Sequence, residues 1–132
     1  MSEEEYLIVG LEASIVALHP HTGIEMWRNN MPLGGHSFVA LAVNMRSVFA
    51  SANAKRVFCI DKKTGQTIWS QSTSGMGRAT LIATESRVFV SKGGFIDAFS
   101  IEGDHLWGKS LKNMGKKPAS LAFAMFVSQA DG

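Results

Sequence analysis

The chain has 132 residues, 45% of them hydrophobic and 18% charged, a balance that suits one folded domain with a real core and excludes a disordered chain. Its formal net charge of +2 is too small to indicate a nucleic-acid surface, and the basic pairs Lys55-Arg56, Lys62-Lys63 and Lys116-Lys117 are scattered, as solvated turns are. A single cysteine, Cys59, excludes an intrachain disulfide.

The N-terminal Met1-Ser2-Glu3-Glu4-Glu5 is acidic and shows no apolar core of a secretory leader. No run approaches the roughly 20 apolar residues of a membrane helix, so the expected location is the cytoplasm, with no membrane partner. Short apolar or alternating runs then succeed one another, bounded by Gly, Asn, Asp and Ser, which is how strands joined by tight turns read. They predict strands over 6–11, 14–19, 23–29, 37–43, 47–52, 56–61, 66–71, 79–84, 87–91, 95–100, 105–110, 120–124 and 125–129. Thr22-Gly23 and Thr64-Gly65 fall where a hairpin reverses, and glycine takes the positive φ of such a turn without a Cβ clash. No segment sustains a helical period over three turns.

Two landmarks recur along this all-β pattern. Trp27, Trp69 and Trp107 lie 42 and 38 residues apart, and each ends a similar phrase. The phrases run Ala17-Leu18-His19-Pro20-His21-Thr22-Gly23-Ile24-Glu25-Met26-Trp27, then Cys59-Ile60-Asp61-Lys62-Lys63-Thr64-Gly65-Gln66-Thr67-Ile68-Trp69. The third, Ala98-Phe99-Ser100-Ile101-Glu102-Gly103-Asp104-His105-Leu106-Trp107, is one residue shorter in its turn. Between them, Leu7-Ile8-Val9-Gly10, Val48-Phe49-Ala50-Ser51, Val88-Phe89-Val90-Ser91 and Met125-Phe126-Val127-Ser128 begin 41, 40 and 37 residues apart. Four strands per period of about 40 residues is the arithmetic of a β-propeller blade.

The repeated phrase resembles A-x-D-x-x-T-G-x-x-x-W, the tryptophan-docking motif of the quinoprotein (PQQ-like) repeat family. The second copy matches with Cys59 in place of Ala, the first places His19 at the Asp position, and the third lacks one turn residue and the Thr. The resemblance implies that Trp27, Trp69 and Trp107, with the turn glycines Gly23, Gly65 and Gly103, are structural docking residues between neighbouring blades. A large flat side chain suits that task, because a blade cannot bury both faces alone. The expected organisation is a single segment over 1–132, with repeats near 7–47, 48–87 and 88–124 and a terminal strand over 125–129.

About three blades of four antiparallel strands do not close a ring, which takes about four to eight. Left alone, they would expose two broad apolar faces. We therefore expect a homodimer whose second chain completes a six-bladed ring, closed symmetry being the usual solution. A segment of a longer propeller is the alternative.

The candidate chemistry is sparse. His19-Pro20-His21 resembles a pair of metal ligands, but it sits in a turn with no third ligand evident, so no metal is expected. Cys59 lies inside a strand at a small-residue position and reads as a buried hydrophobe. Ser74-Gly75-Met76-Gly77-Arg78 has no helix after it to make a phosphate loop. No paired carboxylates stand out, and no catalytic residue or cofactor is assigned. The links from one repeat to the next would reach the mouth of a propeller channel, which makes His36, Ser37, Arg78, Lys117 and Ser120 the candidate ligand surface. The expected function is a non-enzymatic binding or assembly scaffold, acting through its loops and channel mouth on a protein partner or small ligand. The alternatives are part of a quinone-dependent dehydrogenase, which the resemblance includes, and a glycan-binding propeller.

Overall fold

The computed structural model describes residues 5–12, 14–31, 38–52 and 55–124, and every regular element in them except one short turn is a strand. Strands β1 (Leu7–Leu11), β2 (Ser14–Leu18) and β3 (Glu25–Asn29) form the first sheet, in that order. The second sheet is β4 (Ala40–Val43), β5 (Ser47–Ser51), β6 (Arg56–Asp61) and β7 (Thr67–Ser72). The third is β8 (Ala79–Ala83), β9 (Arg87–Lys92), β10 (Phe95–Ser100) and β11 (His105–Ser110). Each is an antiparallel meander, so chain order and sheet order coincide. These are propeller blades.

Burial follows from stacking. The side-chain period of 2 sends alternate residues of a strand to opposite faces, and the second sheet has a neighbour on each. Val48, Ala50, Phe58 and Ile60 face the first sheet, in one core with Ile15, Ala17 and Trp27. Phe49, Val57 and Cys59 face the third, in a second core with Val88, Val90 and Phe99. All five residues of β5 are therefore buried, although the strand includes two serines. At the other extreme, all six residues of the outermost β11 are exposed.

One irregularity recurs in all three sheets. The ladder slips at Ala17/Leu18, Cys59/Ile60 and Ala98/Phe99, next to the pairs Ala17↔Trp27, Cys59↔Trp69 and Ala98↔Trp107. A bulge re-aims the side chain beside it. The small residue opposite each tryptophan leaves room for the indole.

The chain after β11 corrects one expectation. Lys112–Met114 forms a single 3-10 turn, and 120–124 carries no strand. A strand exists only through its ladder, and the expected partner, 125–129, lies outside the described residues, as do His36 and Ser37. Among the described residues no helix is long and apolar enough to cross a membrane.

Candidate functional site

Two seams join the three blades, and they share one geometry. Trp27 leaves β3 and lies over Gly65, where a Cβ would come within 2.4 Å of the indole. Its Nε1 donates to the Lys62 carbonyl at 2.8 Å, while Asn29 Nδ2 donates to the Gly65 carbonyl at 2.8 Å. Trp69 repeats this on Gly103, with a Cβ clash at 2.9 Å. Its Nε1 donates to the Ile101 carbonyl at 2.8 Å and Gln71 Nε2 to the Gly103 carbonyl at 2.8 Å. Glycine is required twice over at these points, for contact and for backbone: φ is +78° at Gly65 and +102° at Gly103.

The hairpin turns of the three repeats are braced by whichever acceptor the phrase supplies. Asp61 Oδ1 accepts from the backbone N–H of Lys63 at 2.8 Å and of Thr64 at 3.3 Å. In the first repeat His19 Nδ1 accepts from the His21 N–H at 3.2 Å, and in the third Ser100 Oγ accepts from the Asp104 N–H at 3.1 Å. His19 thus serves as a turn brace, and His21 pairs with Glu5 at 2.9 Å on the surface. No group of three metal-ligating side chains occurs among the described residues.

Among the described residues, Trp107 and Gly23 have no counterpart of these two seams. Trp107 packs against Phe89, with ring centroids 6.1 Å apart, yet stays 46% exposed. Gly23 has a φ of +75° and nothing within 4 Å of where a Cβ would stand.

Strands β4 and β8 lie side by side and border an open cleft of about 500 Å³, formed by Phe38, Val39, Ala40, Leu41, Arg78, Ala79, Thr80, Leu81 and Pro118. Arg78 stacks its guanidinium on Phe38, 3.8 Å from the ring centroid. Of the ligand surface expected from the sequence, the structure brings Arg78 into the cleft. Lys117 and Ser120 are exposed and flank Pro118, which lines it, and Ala119, whose carbonyl accepts from Thr80 Oγ1 at 2.6 Å.

Sequence reasoning missed a polar cluster in the third blade. Buried Asp97 accepts from the Ser74 N–H at 2.8 Å and hydroxyl at 3.0 Å, and pairs with His105 Nε2 at 2.9 Å. Lys92, 2% exposed, closes the group. Burial depresses its ammonium to about 8 against the opposing pull of the Asp97 charge. Repeat register was the available signal: Lys92, Asp97 and His105 stand where the second blade has Ala52, Phe58 and Thr67. Cys59 is 1% exposed, and burial pushes its thiol up, which keeps it protonated and inert.

A PQQ-type family model described as outer membrane protein assembly factor BamB matches residues 11–129. No curated relative matches the sequence significantly. Among solved structures the fold is similar to BamB from Moraxella catarrhalis, with a TM-score of 0.69 and 22% identity over 80% of this chain and 34% of that one. It is also similar to the quinohemoprotein alcohol dehydrogenase from Comamonas testosteroni, with a TM-score of 0.65 and 17% identity over 80% of this chain and 19% of that one. The RRP9 WD40 repeats align at a TM-score of 0.67 with 11% identity, over 78% of this chain and 34% of theirs. At these identities the likeness is one of fold. The chain spans about a third of BamB and about a fifth of the dehydrogenase.

Proposed function

The chain belongs to the PQQ-type repeat family whose description is outer membrane protein assembly factor BamB, and on that premise we propose that it is a non-enzymatic propeller segment serving as a binding or assembly scaffold. One observation carries the reading. The motif residues of both seams are engaged in packing and hydrogen bonding between blades, while the cleft bordered by β4 and β8 offers an apolar lining with the Arg78 cation. Residues committed to seams are unavailable for chemistry, and a cleft between blades is a surface that a partner can fill.

The partner comes first as protein: another set of blades, with a second copy of the chain as the specific case. The cleft beside Arg78 offers an apolar floor and one cation at its rim, which suits an apolar segment bearing a carboxylate. Lys117 and Ser120 extend that surface. We read residues 1–132 as one such unit. The family description concerns the outer membrane, so it favours the cell envelope and gives no support to the cytoplasmic location expected from composition.

The test separates scaffold from dehydrogenase. The protein is titrated with the quinone cofactor and calcium, followed by absorbance and by dye-coupled alcohol oxidation. We expect neither a saturable spectral change nor dye reduction. Either one would overturn the non-enzymatic reading.

A further inference from the structure

The cleft between β4 and β8 is lined at one register of successive repeats. Phe38, Arg78 and Pro118 stand 40 residues apart, each where a link ends: before β4, before β8 and before the segment 119–124. Leu41, Leu81 and Leu121 follow three residues later. The repeats thus keep an apolar floor and change the rim, from an aromatic ring to a cation to a proline.

The rim is prepared for an anion. The Arg78 guanidinium sits over the exposed Phe38 ring, 3.8 Å from its centroid, which orients the group and leaves its N–H edge available to a planar acceptor. Arg78 stands in no ion pair among the described residues, and no carboxylate lines the cleft. From residue 105 to 124 the chain carries four lysines and no Asp or Glu, and exposed Lys116 and Lys117 lead directly into Pro118.

We propose that this cleft binds an extended acidic segment of a partner protein, with an apolar side chain seated between Leu41 and Leu81 and a carboxylate held by Arg78. The inference rests on the scaffold reading and names the chemistry of its partner. A carboxylate matches the guanidinium with two parallel hydrogen bonds, whereas a phosphate backbone calls for several convergent cations and one lines the cleft. The cleft is open, and β4 and β8 are both edge strands of their sheets. An extended chain adds main-chain hydrogen bonds to such edges, while a small acid needs a pocket that encloses most of its surface.

A cellulose-bound array of hexapeptides tests it, each pairing leucine or phenylalanine with aspartate, asparagine, lysine or phosphoserine, probed with the labelled full chain. Aspartate peptides should be retained at least about tenfold better than asparagine or lysine ones. In solution, by fluorescence anisotropy, Arg78→Gln should weaken the best aspartate peptide about tenfold and erase its advantage over the asparagine form. Arg78→Lys, which keeps the charge and loses the fork, should weaken it about threefold. Phe38→Ala should weaken the aspartate and asparagine forms alike. Both positions are exposed, and far-UV circular dichroism confirms that the variants are folded. No retention of any peptide, equal retention of lysine peptides, or an aspartate preference that survives Arg78→Gln would each overturn the proposal. So would stronger retention of phosphoserine peptides, the mark of a phosphate site, or displacement of the best peptide by an equal concentration of hexanoate, the mark of a site for small acids. Absent peptide binding with no quinone response refutes only the acidic occupant, whereas quinone-dependent dye reduction refutes the scaffold reading whatever the peptides do.

Discussion

Gly65 and Gly23 occupy equivalent turns with φ of +78° and +75°, but only Gly65 lies beneath an indole. Alanine at either site suffers the left-handed backbone penalty, about 1–2 kcal/mol. At Gly65 the new Cβ would also stand 2.4 Å from Trp27 Cδ2, so the ring must retreat by about 1 Å to reach ordinary contact. Retreat loses the Nε1 bond to the Lys62 carbonyl, about 1 kcal/mol, and loosens a well-packed core, about 1–3 kcal/mol. Gly65→Ala should therefore cost about 2–4 kcal/mol more than Gly23→Ala. Urea unfolding of both gives the difference directly. In a Trp27→Ala background the excess should vanish, since the clash has gone. Equal costs for the two glycines, within about 0.5 kcal/mol, would refute the docking argument.

Further outcomes follow from the third blade and the core. The Lys92 ammonium is depressed from 10.5 to about 8, so between those pH values the unfolded chain holds a proton that the native chain has released. Stability should rise with pH across that window, by up to about 3 kcal/mol, and the rise should disappear in Lys92→Met when chemical denaturation is run at pH 7.5 and 10.5. Asp97→Ala leaves Ser74 and His105 without their shared acceptor and removes the negative charge that favours the Lys92 ammonium, and should cost about 3–5 kcal/mol in the same assay. Trp69→Phe keeps the ring but removes the donor to Ile101, for about 1–2 kcal/mol. Cys59 should resist iodoacetamide until denaturant is added, read by intact mass; labelling of the native protein at the rate of a free thiol would contradict its burial.

Much of the fold was legible because strand and turn signals are local. The ladders at Arg56–Asp61, Phe95–Ser100 and His105–Ser110 have the ends that alternation and turn residues indicate. Gly23 and Ile24 fall outside β3 because the reversing turn takes them: the His19 N–H bonds the Ile24 carbonyl at 2.8 Å. What the residues could not convey was which tryptophan has a neighbour. Trp27, Trp69 and Trp107 end near-identical phrases, yet exposure runs from 8% to 46%, and among the described residues only Trp27 and Trp69 lie over a turn glycine of the next blade. The Asp97 group was hidden for a related reason. Ser74, Lys92, Asp97 and His105 belong to four different segments, and no spacing rule brings a link, two inner strands and an edge strand together.

That group also shows where such a protein is free to specialise. Each seam joins an apolar core to the hydrogen bonds of its tryptophan and amide, so a polar residue at a core register must be compensated on the spot. Val16 and Phe58 occupy the register that Asp97 takes in the third blade. A carboxylate there is tolerated only because Ser74 and His105 bond it and Lys92 opposes its charge, since an unpaired buried charge would cost more than a seam contributes. The same polar contacts tie the link at Ser74 to β10 and β11. The departure from the repeat at Asp97 is thus compensated within the third blade and the link that leads into it.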